Sequence, residues 1–228
     1  MTVAEPRTTW AHTAGMTVLL AMLVVTIFIV PVAAPPFGDS GRAVIELFFM
    51  LVLLAGAWAI AEHRRAVLAL AVLGTVIVAF AGLPMPLFGP ATPLVRQVAA
   101  LLAVLLLAAM VGFRVFAPGR VTTDRIMGAV ALYLLFGVAW GNAYEIVALA
   151  DPAAFNAAPD PRRGVERWFY FSFVTLTTVG YGDVTPVSRA ARVLAIGEAL
   201  VGQLYPAIIL ARLVTLQTSE PPAAPPAP

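Results

Sequence analysis

The chain has 228 residues, of which 61% are hydrophobic and only 11% charged, and its mean hydropathy is +0.93. A soluble globular domain carries about 45–50% apolar and about 25% charged residues, so this composition excludes an ordinary cytosolic enzyme and a disordered chain and leaves a membrane protein. The net charge of +2 is too small to point to nucleic acid, all 14 basic residues are arginines, and the lack of cysteine removes disulfides, thiolate metal sites and cysteine nucleophiles.

A helix needs about 20 mostly apolar residues to cross the hydrocarbon core. Six runs meet that requirement: Ala14 to Ala34, Ala43 to Ala61, Ala66 to Leu83, Leu94 to Phe116, Thr123 to Leu149 and Ser188 to Leu216. The breaks between them are chemically legible: Pro35-Pro36 with Gly38-Asp39-Ser40-Gly41, the charged Glu62-His63-Arg64-Arg65, the proline-rich stretch from Pro84 to Pro93, and Pro118-Gly119-Arg120. The first run follows Arg7 and ends in Val32-Ala33-Ala34, but it is longer than the apolar core of a secretory signal and reads as a retained helix. Between the fifth and sixth runs, Asp151 to Arg163 reads as a polar surface loop. Val165 to Thr177 is apolar and aromatic but too short to span, which predicts a re-entrant helix. The proline-rich stretch from Ser219 to Pro228 is predicted to be disordered. Arginines in the short loops, Arg64, Arg65, Arg114, Arg120 and Arg125, outweigh those in the long loop and place both termini on the cytoplasmic side.

The short helix leads into Thr177-Thr178-Val179-Gly180-Tyr181-Gly182-Asp183. This stretch resembles the pore signature of potassium channels, whose TVGYG loop is the established case of an ion filter that replaces a hydration shell with carbonyl oxygens. The resemblance covers Thr123 to about Leu216. It implies an all-α membrane protein of six transmembrane helices plus a re-entrant pore helix and filter loop, assembled as a homotetramer because one chain holds one loop. A potassium ion must shed water to enter a narrow pore, and successive carbonyls can be aimed at one axis only if left- and right-handed backbone angles alternate. Gly180 and Gly182 can supply the positive φ. The carbonyls of Thr178, Val179, Gly180 and Tyr181, with the Thr178 hydroxyl, are expected to form the K⁺ sites. Gly182 completes the loop, and Asp183, Tyr170, Thr177 and Trp168 are expected to support it. By the same resemblance, the Tyr170 hydroxyl is expected to tether Asp183.

On the sixth run, Gly202 and Pro206 weaken the same turn, because Pro206 leaves the Gly202 carbonyl without a helical donor. That turn is either a gating hinge, as the resemblance implies, or a site of close packing. Gln203 is placed to face the cavity. Glu198 is an acid in mid-membrane and a functional candidate by default. It either accepts hydrogen bonds from Thr175 or Thr178 behind the filter, faces the cavity and attracts cations, or makes an interhelical hydrogen bond in the protonated state. Arg96 and Arg114 are far apart on the fourth run, so it lacks the arginine array a voltage sensor requires.

The expected organisation is therefore a non-sensing scaffold over residues 1–121, a pore domain over 122–217 and a tail over 218–228. The expected activity is passive K⁺ conduction across a bacterial inner membrane. No cofactor beyond the permeant ion, no soluble ligand domain and no nucleic acid are expected; the partners are lipid, K⁺ and identical copies. The alternatives are a weakly selective monovalent cation channel of the same fold and a non-conducting scaffold or regulatory subunit. An enzyme is disfavoured because neither histidine pairs with acids at metal or triad spacing and Ser172 and Ser188 lack a base.

Overall fold

The computed structural model describes residues 9–33, 47–56, 74, 92–118, 122–157 and 165–218. Helix α1 (Thr9–Val24) passes through a π-helical turn (Val25–Ile29) into α2 (Val30–Ala33). The wide turn has a local cause. Pro31 has no amide hydrogen and its ring would press on the carbonyl four residues back, and one extra residue in the turn relieves that clash. The Thr26 hydroxyl donates to the Met22 carbonyl at 2.7 Å, one turn back.

Helix α3 (Leu47–Gly56) is a short apolar segment. Helices α4 (Thr92–Phe116) and α5 (Thr123–Ala150) follow, then strand β1 (Phe155–Ala157), helix α6 (Val165–Leu176), strand β2 (Val184–Pro186) and helix α7 (Arg189–Thr218). Among the described residues, four helical stretches are long and apolar enough to cross a membrane: Gly15–Val32, Pro93–Phe116, Thr123–Ala150 and Arg189–Arg212. These correspond to the first, fourth, fifth and sixth predicted runs. The second is described only over Leu47–Gly56, and the third, Ala66 to Leu83, lies outside the described residues except for Gly74. With 12 residues, α6 is about 18 Å long, well short of the hydrocarbon thickness of about 30 Å, so it is too short to cross.

Helix α5 is the central element. On one side it packs on α1 and α4, where Met16, Leu19, Leu23, Val104, Leu107, Val111, Leu132 and Leu135 are buried together. On the other side α6 lies across it. Cβ atoms built on Gly137 and Gly141 would collide with the rings of Phe173 and Phe169, so these two glycines, one turn apart, form the groove that receives the aromatic face of α6. Apolar side chains gain nothing from leaving lipid, so close fits of this kind and interhelical hydrogen bonds hold the bundle. Gln97 Nε2 donates to Asn142 Oδ1 at 2.6 Å, Trp140 Nε1 to the Leu194 carbonyl at 3.2 Å and Tyr205 Oη to the Ala129 carbonyl at 2.8 Å. Each is worth about 1 kcal/mol.

Helix ends are closed by charge and capping. The Thr122 hydroxyl accepts from the Arg125 amide at 3.4 Å, and Asp124 lies in the first turn of α5, where the helix dipole favours an acid. At the C-terminal end of α4, Arg212 donates to the carbonyls of Phe116 and Ala117 at 3.0 and 3.1 Å. Arg125 donates to Ala117 and Pro118 at 2.8 and 2.9 Å. Two guanidinium groups thus occupy the carbonyl end of α4 and bind it to the start of α5 and the far end of α7.

Candidate functional site

The loop expected to form the filter leaves α6 through a Schellman turn. The Thr178 amide donates to the Thr175 carbonyl at 2.9 Å and the Val179 amide to the Val174 carbonyl at 2.9 Å. That motif requires a left-handed residue after the helix, usually glycine, and here it is Thr178, at φ 61°. The Gly180 amide, 3.3 Å from the same Val174 carbonyl, adds a third bond. Positive φ then recurs at every second residue: Thr178 at 61°, Gly180 at 58° and Gly182 at 80°. Val179 and Tyr181, between them, are not left-handed. The two glycines take the φ expected of them. The left-handed Thr178 was not anticipated, since a β-branched residue there is strained; the signal was its position just past a helix end.

Beyond Asp183 the chain enters β2, which pairs antiparallel with β1 in the register Phe155–Pro186, Asn156–Thr185 and Ala157–Val184. The Val187 and Ser188 amides both reach the Ala154 carbonyl, at 2.8 and 3.1 Å. The outer end of the loop is therefore tied to the segment after α5 while its inner end is tied to α6.

The residues expected to support the loop lie in different surroundings. Trp168 packs on Phe155 of β1, ring centroids 4.7 Å apart, within a cluster that includes Phe171 and Tyr144. Phe155 was not singled out in the sequence because it sits in a loop with no periodic pattern. Tyr170 stacks on Tyr181, centroids 6.5 Å apart with nearly parallel rings. Asp183, the partner expected for the Tyr170 hydroxyl, is exposed in the single chain. The Thr177 hydroxyl donates back to the Phe173 carbonyl at 2.7 Å.

Below the loop, Gln203 Nε2 donates to Thr178 Oγ1 at 3.0 Å, so Gln203 reaches the hydroxyl at the innermost expected ion site. Gly202 abuts the end of α6: a Cβ there would overlap the Leu176 carbonyl oxygen. Close packing is therefore present at this glycine. Pro206 sits inside α7 on an exposed face.

Glu198 is fully buried, and two of the sequence expectations for it are corrected. It does not face a cavity in the chain, and its hydrogen-bond partners are neither Thr175 nor Thr178. The Thr175 hydroxyl is turned back to the Phe171 carbonyl, 2.8 Å away. Glu198 Oε2 lies 2.5 Å from Tyr144 Oη, and Oε1 lies 2.5 Å from Ser172 Oγ, which is also 2.7 Å from the Gly137 carbonyl. Tyr144 and Ser172 belong to α5 and α6, so the cluster joins three helices behind the filter loop. Their hydroxyls were the missed signal, two hydrogen-bonding groups on the helices that flank α7.

Residues 160–218 match the family model described as "Ion channel". Protein LctB of Bacillus caldotenax is 38% identical over 106 residues, which cover 44% of this chain and 78% of that protein. The chain belongs to the family of the LctB proteins. Protein LctB of Geobacillus stearothermophilus is 35% identical over 103 residues, covering 43% of this chain and 76% of that protein. The protein "Two pore potassium channel c" of Oryza sativa subsp. japonica is 36% identical over 84 residues, 37% of this chain and 18% of the plant protein. The matched ion-channel domain contains α6, the filter loop and α7, and with its long apolar helices this LctB-family chain is a multi-pass membrane ion channel.

Proposed function

We propose that the chain is one subunit of a homotetrameric channel that conducts K⁺ in preference to Na⁺. The observation that carries this reading is the alternation of left-handed backbone at Thr178, Gly180 and Gly182. Only that alternation turns consecutive carbonyls to one side of an extended segment. Four such segments around an axis give stacked rings of oxygens from Thr178, Val179, Gly180 and Tyr181, which replace the water a K⁺ ion loses. The likeness to a protein named as a potassium channel supports the choice of ion. Val179 and Tyr181 are exposed in the single chain, as are Val193, Ile196, Leu200 and Leu204 along α7, so the loop and the inner helix both have faces left for other copies. Residues 122–217 form the pore unit and 1–121 a scaffold without a voltage sensor, both termini are cytoplasmic, and the membrane is a bacterial inner membrane.

The test is reconstitution of the full chain in liposomes, with K⁺ and Na⁺ gradients imposed separately. K⁺ flux well above Na⁺ flux from a particle of four chains is the expected result. Equal fluxes would favour a weakly selective cation channel of the same fold, and no flux from an intact tetramer would favour a scaffold or regulatory subunit.

Gln203 supplies a sharper check of the innermost site. Its amide orients the Thr178 hydroxyl, and a side-chain hydrogen bond of this kind is worth about 1 kcal/mol. Gln203→Leu is expected to lower K⁺ flux about fivefold while the tetramer elutes unchanged on size exclusion. Unchanged flux in that variant removes Gln203 from the conduction site.

A further inference from the structure

We propose that Glu198 carries its proton and acts as a positioning residue, closing a buried hydrogen-bond chain that fixes the pore helix α6 to its two neighbours. The argument is a count of hydrogens. Three oxygen–oxygen contacts must each hold one: Tyr144 Oη to Glu198 Oε2 at 2.5 Å, Glu198 Oε1 to Ser172 Oγ at 2.5 Å, and Ser172 Oγ to the Gly137 carbonyl at 2.7 Å. Tyr144 and Ser172 bring one hydrogen each and the carbonyl brings none. With an ionised carboxylate, two hydrogens serve three contacts, and two bare oxygens face each other at hydrogen-bonding distance. With the proton on Oε1, Glu198 donates to Ser172, Ser172 donates to Gly137, and Tyr144 donates to Oε2. Every contact is then satisfied.

The surroundings agree with the count. Glu198 and Ser172 have no accessible surface, and the partners of Glu198 are hydroxyls, with no guanidinium among them. The other titratable group close to the carboxyl is Tyr133, whose hydroxyl is taken by the Leu176 carbonyl at 3.3 Å. Among the described residues an ion placed there would have no counter-ion beside it, and with no accessible surface it would be cut off from bulk water. The chain of bonds crosses from α5 through α7 to α6, and Ser172 lies one turn before Leu176, the residue that ends α6 and meets Gly202. Displacing Ser172 therefore displaces the base of the filter loop.

The positioning role rests on the channel reading above, whereas the protonated carboxyl does not, and the test separates them. Infrared spectra of the reconstituted full chain at pH 7 are compared with those of Glu198→Gln. The expected difference is loss of a carboxylic-acid C=O stretch in the variant; loss of carboxylate bands instead overturns the assignment, whether or not the protein conducts. Gln offers an amide donor to Ser172 and an oxygen acceptor to Tyr144, so K⁺ flux through Glu198→Gln is expected within about twofold of the parent. Glu198→Leu removes both bonds and is expected to lose about tenfold. Tyr144→Phe removes one hydroxyl only, is expected to fall between them, and decides the matter if the Leu variant does not fold. Equal flux through the Gln variant and the Leu or Phe variant overturns the positioning role.

Discussion

Alanine at Gly202 is expected to abolish K⁺ flux and to lower the melting temperature of the assembled protein by more than any other single methyl addition on α7. The added Cβ would overlap the Leu176 carbonyl oxygen and would stand 2.8 Å from the carbonyl carbon and 3.1 Å from the Leu176 Cα. These are backbone atoms and cannot rotate aside. Nor can α6 retreat as a body, because Phe173 and Phe169 already fill the grooves over Gly137 and Gly141, and Ser172 is held by Glu198. The Leu176 carbonyl is also the acceptor for Tyr133 Oη. Inserting a methyl group into a packed site costs about 1–3 kcal/mol, and here the cost falls on the segment that aims the filter, once in every subunit of the proposed tetramer. Gly197 provides the control on the same helix. A Cβ there meets nothing within 4 Å, so Gly197→Ala is expected to leave flux unchanged and to stabilise slightly, by about 0.5–1 kcal/mol of helix propensity. Melting curves and liposome flux for the two variants check this, and equal behaviour would mean that the contact at Leu176 does not constrain the pore. This contact does not displace the hinge reading of the turn from Gly202 to Pro206. It sets the upper boundary of any bend: α7 is tied to α5 at Leu194, to α5 and α6 at Glu198, and presses on α6 at Gly202.

Much of this arrangement is legible in the sequence because it rests on local rules. The helices follow from uninterrupted apolar length, the brevity of α6 from the polar loop before it and the glycines after it, and the left-handed positions at Gly180 and Gly182 from the absence of a Cβ. The rest depends on what each residue meets across the bundle. Helix α5 is apolar around most of its circumference, so periodicity does not say which face carries Tyr144 to Glu198 or Asn142 to Gln97. A buried acid announces that it needs partners but not which helix supplies them, and the hydroxyls expected to serve it, those of Thr175 and Thr178, are engaged elsewhere: Thr175 with the Phe171 carbonyl and Thr178 with Gln203. The two-residue-periodic strands that clamp the outer end of the loop, Phe155–Ala157 and Val184–Pro186, are too short to carry a pattern. Thr178 in a left-handed conformation runs against its own propensity and becomes readable only when the Schellman bonds to Val174 and Thr175 are seen.

Gly180→Ala is expected to reduce K⁺ flux by at least about a hundredfold while leaving the melting temperature of the protein nearly unchanged. A Cβ on Gly180 meets nothing within 4 Å in the chain, so no packing is lost and the fold has no reason to weaken. The cost is conformational. At φ 58° an L-residue pays about 1–2 kcal/mol for left-handed backbone, and the proposed four-chain ring would concentrate that strain at one level of the pore. Thr178 bears a comparable angle with its Cβ in place, but three amide bonds from Thr178, Val179 and Gly180 to the carbonyls of Thr175 and Val174 hold it there. Gly180 lies at the end of that support, and the next residue has no such bond. Alanine therefore relaxes toward negative φ, the peptide on one side of it rotates, and one ring of carbonyls turns away from the axis. An ion that meets one ring fewer regains too little of its hydration energy to enter. Flux and melting measured together separate this from general damage: loss of both would point to misfolding, and normal, selective K⁺ flux through Gly180→Ala would show that left-handed backbone at residue 180 is not what makes the pathway.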